Sequence, residues 1–336
     1  MLFNVHELLK VVGGYVPAGL IADPAWKRMA SIPEILPRAI RIGTFECRLD
    51  EDERVDLQAC ITSSRGGRDL VAAWLSQISP DDRTMPCEWG SAIAFMRQWV
   101  DPTSFLHANV PVAWVEFDLD QDGTGAPFPF AFFTLSPPWE RDGQAGRELT
   151  QRVVETGLGV LTGGALDRGT ATMVRHCLRE MPPSAALLHV AVRPRETGDV
   201  VRLIIKLPWA VLPTYLERLG WTKHEVAGLA AFLTRFCRHT LMHSVQLDVS
   251  STLGPQVGIE FYYPSSPATD PRWHSLFDLL LGEGICTPAK RDQVTVWCMT
   301  EEESRHTPVL RELLVKVVYT IGQPPRAKAY LPFGAA

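Results

Sequence analysis

The chain has no Cys-x-x-Cys pair. Its seven cysteines, Cys47, Cys60, Cys87, Cys177, Cys237, Cys286 and Cys298, are odd in number and widely spaced. That argues against a disulfide framework and against a cysteine zinc knuckle. They read instead as small core hydrophobes in a reducing, cytoplasmic setting. Positive charge is not in surplus either. Thirty-three Lys and Arg stand against 38 Asp and Glu, a net charge of -5, which argues against a general nucleic-acid coat. No uninterrupted apolar run approaches the ~20 residues of a membrane span. The N-terminal MLFNVHELLK lacks a basic region and a small-residue cleavage site, so no secretory signal is expected. There is no Gly-x-Ser-x-Gly elbow and no Walker A loop. Asp118-Leu-Asp-Gln-Asp122-Gly123 opens like a calcium loop, but Pro129 stands where that loop needs its glutamate. Gly157-Leu-Gly159 follows a helical stretch, not a strand, and fails the dinucleotide context. His239 and His243 are spaced for a metal but have no evident third ligand, so no metal site is expected.

What is present is a soluble globular composition, 46% hydrophobic and 21% charged over 336 residues. Strand-like segments come in pairs. These are 40–49 with 54–62, 111–118 with 128–135, 187–193 with 200–207, 243–250 with 256–263, and 314–320 with 327–333. Helical stretches lie between the pairs, at 69–77 and 91–100, 149–162 and 169–180, 209–219 and 223–240, and 272–282 and 288–297. Thr222 and Glu225 have the spacing of a capping box, and Gly282 and Gly284 are stop signals. Residues 1–37 read as an N-terminal helical extension, and 38–336 as a single domain of five strand–strand–helix–helix units. Pairs on short loops are antiparallel. Ten such strands can close into one β-barrel with the helices outside, which also removes exposed sheet edges. The expected class is therefore α+β, a ten-stranded antiparallel barrel surrounded by helices. An open sheet with helices on one face, or two α+β halves, is the alternative.

Period-two alternation gives each strand two faces. One is apolar: Val55, Leu57, Ala59 and Ile61; Ala113, Val115 and Phe117; Leu188, Val190 and Val192; Val201, Leu203 and Ile205. The other carries Asp56, Gln58, Trp114, Glu116, Asp118, His189, Arg193, Arg202, Lys206, Gln246, Asp248, Gln256, Glu260, Tyr262, Lys316, Lys328 and Tyr330. In 128–135 both faces are apolar. With helices outside, the charged face lines the lumen, which must hold water, ion pairs or an anionic ligand. Lys and Arg alternating with Tyr suit a diphosphate attached to something apolar. Trp and Tyr faces can shelter a cation. Glu116 beside Trp114 can take a proton or orient an N–H donor. On an open sheet the same residues would simply be solvated, with Glu116 and Lys328 freely exposed.

In architecture, residues 38–333 resemble the ABBA-type aromatic prenyltransferases, which include indole, phenol and cyanobactin-peptide enzymes. Their strands carry Lys-x-Tyr and Arg-x-Lys-x-Tyr patterns. Here Lys328-Ala-Tyr330 matches Lys-x-Tyr, and Arg202 and Lys206 sit at a wider spacing. Glu260-Phe-Tyr262 keeps the tyrosine but puts an acid where a base is usual. Glu116 matches in type the glutamate that engages an indole N–H. The resemblance implies transfer of an isoprenyl group from an allylic diphosphate to an aromatic small molecule or peptide side chain. Arg202, Lys206, Lys316 and Lys328 would bind the diphosphate. Trp114, Tyr262 and Tyr330, with His189 and Arg193 beside them, would shield the cation and seat the acceptor. Glu116 would be the catalytic residue. No Asp-rich metal motif is visible, so no cofactor is required, with Mg2+ as an option. The expected state is a monomer or weak homodimer without nucleic-acid partners. The departure at Glu260 keeps a second function in view: a non-catalytic barrel holding a peptide or apolar ligand as an accessory in natural-product biosynthesis.

Overall fold

A computed structural model describes residues 2–32, 36–50, 53–63, 66–78, 89–119, 128–135, 143–193, 199–237, 242–298 and 309–335. Eleven strands form one sheet: β1 (Ile40–Arg48), β2 (Val55–Thr62), β3 (Val112–Asp118), β4 (Phe128–Thr134), β5 (Ala186–Arg193), β6 (Val200–Lys206), β7 (Met242–Val249), β8 (Leu253–Tyr262), β9 (Val309–Arg311), β10 (Leu314–Thr320) and β11 (Gln323–Ala335). Each pairs antiparallel with the next, except that β8 pairs with β10 and the three-residue β9 caps the end of β11. The ring closes where β1 meets β11, from Ile42 opposite Gly334 to Arg48 opposite Lys328. The result is a closed barrel of ten strands with β9 as an appendage, and the open-sheet alternative falls away.

Before β1 lie α1 (Val5–Gly13) and α2 (Asp23–Ala30). Between strand pairs lie α3 (Gly67–Leu75), α4 (Gly90–Val100) and the one-turn α5 (Phe105–Asn109); α6 (Gly143–Leu161) and α7 (Arg168–Glu180); α8 (Leu212–Arg218) and α9 (Lys223–Cys237); and α10 (Pro271–Gly282) and α11 (Pro288–Trp297). Local chemistry sets their ends. Asn4 and Glu7 form a reciprocal capping box on α1. So do Thr222 and Glu225 at the start of α9, as their spacing suggested. Pro271 and Pro288 occupy first-turn positions, where a missing N–H costs nothing.

The apolar strand face packs outward on the helices. Phe133 of β4 stacks on Phe95 of α4 at 5.4 Å, Phe261 of β8 on Phe236 of α9 at 6.2 Å, and Trp26 of α2 meets Phe45 of β1 edge-on. The N-terminal helices thus share the barrel's core, and Phe3 bridges to Ile40. The described cysteines Cys47, Cys60, Cys177, Cys286 and Cys298 are free and buried. Burial pushes the first three and Cys298 up to about 12, so they pack rather than react. The calcium-like segment after Leu119 and the His239/His243 side chains lie outside the described residues. No described helix is long and apolar enough to cross a membrane.

Leu187, not Leu188, points outward: register passes from Leu187 opposite Ile205 to His189 opposite Ile204. Leu188 is the extra residue of a β-bulge, which resets the alternation by one and keeps His189 on the inner face. In β4, where alternation was uninformative, Ala131 and Phe133 join the outer core and Phe132 lines the lumen.

Candidate functional site in the barrel lumen

Strand direction alternates round the ring. The hairpins β1–β2, β3–β4, β5–β6, β7–β8 and β10–β11 therefore close one end, and all helical connections leave from the other. This polarises the lumen. Arg48, Asp56, Asp118, Arg193 and Asp248 come near the hairpin end of their strands. Trp114, Thr134, His189, Ser244 and Leu314 come near the helix end. A cavity of about 150 Å³ opens between them, lined by Thr44, Gln58, Trp114, Glu116, Phe132, His189, Ala191, Arg202, Ile204, Gln246, Glu260, Leu314, Tyr330 and Pro332. A cavity of roughly that volume takes a group the size of one aromatic ring.

The helix-end wall is aromatic. Trp114 and Phe132, opposite one another on β3 and β4, stack at 5.3 Å with their planes 8° apart. The His189 ring meets both edge-on at 6.1 Å. Trp114 Nε1 donates to Thr134 Oγ1 at 2.9 Å, and the same hydroxyl bonds His189 Nδ1 at 2.9 Å. The chain of bonds holds two of the three rings in place, which suits a face meant to receive a flat or cationic group.

Around the cavity runs a belt of ion pairs and charge-assisted hydrogen bonds. Arg202 grips Asp248 with two bonds of 2.8 and 3.1 Å, and Gln256 adds a third to that carboxylate. Arg48 bonds Glu46 at 2.9 Å and Asp56 at 3.2 Å. Lys328 pairs with Glu46. Lys316 donates to Gln246 Oε1 at 2.7 Å and to the Tyr330 hydroxyl. Arg193 reaches Glu116 at 3.4 Å and Asp118 at 3.9 Å. Gln58 Nε2 donates to Glu116 at 3.2 Å. Lys316 and Lys328 face one another across β10 and β11. Such like-charge opposition is unfavourable, and Glu46 between them answers it.

Burial and charge act against each other here. Burial pushes the Glu46 carboxyl up, but Lys328, Lys316 and Arg48 together hold it well below the usual range. Asp56 goes the other way: burial, then the neighbouring Glu46, lifts it to about 7. Burial brings Lys316 down to about 8. Burial and the field of Glu46 push the Tyr330 phenol well up. Asp248, despite its burial, is held low by Arg202.

Of the residues singled out from sequence, the fold gathers Trp114, Glu116, His189, Arg202 and Tyr330 on one cavity, with Arg193, Lys316 and Lys328 in the ion-pair belt around it. Glu116 is buried and the Lys328 side chain is only 20% exposed, which excludes the solvated-sheet reading. Two residues are not brought in. Lys206 lies exposed at the helix end of β6. Tyr262 borders a separate cleft beside Glu312 and Arg311. Both follow the inner-face alternation, but their strands carry them past the cavity to the barrel's rim. Sequence reasoning missed Thr44, Glu46 and Arg48, although they alternate with Phe45, Cys47 and Leu49 as the other inner faces do. It also missed Phe132 and Ser244. Among the described residues no cluster of three His, Cys, Asp or Glu forms a metal-sized site.

No family model matches the chain, and no curated protein matches it in sequence. Solved structures do resemble it. AnaPT from Neosartorya fischeri has 13% identity and a TM-score of 0.53, covering 88% of this chain and 78% of that one. The 5-dimethylallyltryptophan synthase of Streptomyces coelicolor has 11% identity and 0.51, covering 98% and 95%. NotF prenyltransferase has 10% identity and 0.53, covering 99% and 95%. The likeness runs through the whole barrel. The fold is the helix-wrapped ten-stranded barrel of the ABBA-type prenyltransferases.

Proposed function

We propose, for a chain with that fold, an enzyme that transfers an isoprenyl group from an allylic diphosphate to an aromatic small molecule or peptide side chain. The observation that carries this is the polarised lumen. An ordered aromatic wall of Trp114, Phe132 and His189 shares one small cavity with Arg202 and Tyr330, and Lys316 stands behind them. Arg202, Lys316 and Lys328 would take the diphosphate oxygens. Lys206, at the rim, would meet only a long or entering substrate. The allylic C–O bond would ionise against the aromatic faces, whose quadrupoles favour the cation. The closed barrel would keep out water that would quench it. The acceptor would attack from the Glu116 side, and Glu116 would orient its N–H or O–H donor. The proposal needs no cofactor. Mg2+ would serve only as a counter-ion of the diphosphate, so turnover should survive EDTA.

A specific observation favours a second reading, a non-catalytic barrel that holds a peptide or apolar ligand. Arg48, Arg193, Arg202, Lys316 and Lys328 are each already bound to a protein acceptor. A diphosphate must exchange for those partners.

A thermal-shift titration with dimethylallyl, geranyl and farnesyl diphosphate, against inorganic diphosphate, separates the two. A ligand at 100 times its Kd adds about 2.7 kcal/mol of stability. We expect one allylic diphosphate to raise Tm clearly above the inorganic control, and Arg202→Met with Lys316→Met to abolish the rise in a protein of unchanged circular dichroism. No response to any of the three would leave the binding barrel.

A further inference from the structure

Beyond Tyr262, β8 leaves the barrel wall. Pro264 has no N–H to give a ladder, and pairing with β10 ends where Tyr262 faces Leu314. Trp273 Nε1 then takes the Ser265 carbonyl at 2.8 Å and ties the departing chain to α10. On the other side β9 stays on β11, with Arg311 opposite Phe333. A wedge opens between the two, a cleft of about 290 Å³ with Tyr262, Pro264 and Trp273 on one side and Leu310, Arg311 and Glu312 on the other. Among the described strands none pairs with the outer edge of β9. At its inner end the wedge adjoins the lumen: Leu313 lines the cleft and Leu314 the cavity. At its outer end it passes Pro267 and Trp273 into a groove of about 490 Å³ between α10 and α11. Few large apolar side chains stand exposed among the described residues, and two of them, Leu310 and Val296, lie on this path.

Resting on the prenyl-transfer reading above, we propose that this path is a docking groove outside the barrel for an extended peptide segment, the chain that flanks an acceptor residue whose ring sits in the lumen. The segment adds to the outer edge of β9 and runs on toward α11. An edge strand offers main-chain hydrogen bonds, and Leu310 and Val296 offer apolar contact to alternate side chains. The lining is mixed. Ser265, Ser266 and Thr269 share it with Pro264 and Trp273, which suits a polypeptide better than an isoprenoid tail. Arg311 and Glu312 in the cleft, and Arg291 and Asp292 in the groove, set both signs of charge along it, so no strongly charged partner is favoured. A second copy of this chain fits poorly, because two apolar side chains beside concave clefts fall short of the apolar centre of a stable dimer. From Leu310 to Leu314 is at most about 14 Å of extended chain, so roughly four flanking residues reach from the lumen to β9.

Two capped probes share the aromatic body and differ only in flanking chain. One is N-acetyl-tryptophanamide. The other is a nonapeptide with tryptophan at its centre and alternating alanine and serine on both sides. Calorimetric titration of the full chain, without diphosphate, should show the nonapeptide binding at least about tenfold more tightly. Hydrogen exchange should slow at 309–313 with the nonapeptide and stay unchanged with N-acetyl-tryptophanamide. Leu310→Glu and Val296→Glu change exposed side chains, so both variants should fold. Each should cut the nonapeptide's advantage and leave N-acetyl-tryptophanamide unaffected. Equal affinities in the wild type, including no detectable binding of either probe, would overturn the proposal. So would an advantage that survives both substitutions, or protection that leaves 309–313 untouched. If the free chain sediments as a dimer that Leu310→Glu dissociates, the occupant is a second copy and the proposal falls. Failure of the prenyl-transfer reading shows separately, as no response to allylic diphosphates, and leaves these titrations unchanged.

Discussion

Glu46 shows how much of this lumen depends on single side chains. It lies 3% exposed between Lys328 and Arg48. Removing one partner of a buried pair is far more costly than removing both. Lys328→Met should therefore destabilise by about 3 kcal/mol in urea unfolding, and adding Glu46→Gln should recover part of that loss. If the double variant is no more stable than the single one, the pairing argument fails. Asp56 makes a pH prediction. Its native carboxyl is raised to about 7, so it holds its proton in the folded chain when the unfolded chain has lost it. The stability it contributes is full below about pH 4 and is lost as pH rises through about 7. Asp56→Asn should flatten the fall of Tm between pH 4.5 and 7.5, because it keeps an acceptor for the Leu119 N–H without an ionisable proton. Parallel curves for the two proteins would rule this out. Thr134→Val leaves Trp114 Nε1 without its acceptor and should cost about 1 kcal/mol.

Elements meet at glycines whose backbone is approached closely. A Cβ on Gly43 of β1 would fall 2.4 Å from the Phe333 ring and 2.9 Å from Leu8. Phe333 is held against Phe45 and Trp297, so it has little room to yield. Gly43→Ala should destabilise the β1–β11 seam by about 1–3 kcal/mol. Gly14, just past α1, has open space and a helical φ of -70°. Gly14→Ala should be neutral or stabilising by up to about 1 kcal/mol. Equal effects from the two substitutions, measured by denaturant midpoint, would refute the packing explanation. Elements were also where sequence reading was strongest. The helix expected over 288–297 spans those residues in the structure, because a proline start and a tryptophan-bearing apolar face are local signals. The one-turn α5 and the three-residue β9 were not seen, since they are too short to show a period.

Across the whole molecule, the core is one continuous cluster running from Phe3 to Phe333. The N-terminal helices cover the outer face of β1, and β1 is half of the closing seam. Calorimetry should therefore give a single cooperative transition that includes the first 37 residues. A separate early transition would show that they fold as an independent unit. Closure has a second consequence. It turns an amphipathic sheet into a vessel with a hydrophobic exterior under the helices and a charged interior.

The sequence by itself determined the ten strands, their pairing in hairpins, the helices between them and the sign of most faces, β4 and the start of β5 excepted. These follow from alternation and turn chemistry within a few residues. It also showed Glu260 as an acid where the resemblance led one to expect a base. Only the tertiary structure decided which inner-face residues share a cavity. Register and strand stagger place Trp114 on Phe132, leave Lys206 and Tyr262 at the rim, and set Glu260 across from Glu116. It likewise decided that the lumen's lysines and arginines already hold acidic, amide or phenol partners. The physical reason is range: side-chain alternation is a property of neighbours, whereas opposition across a barrel depends on how ten strands close.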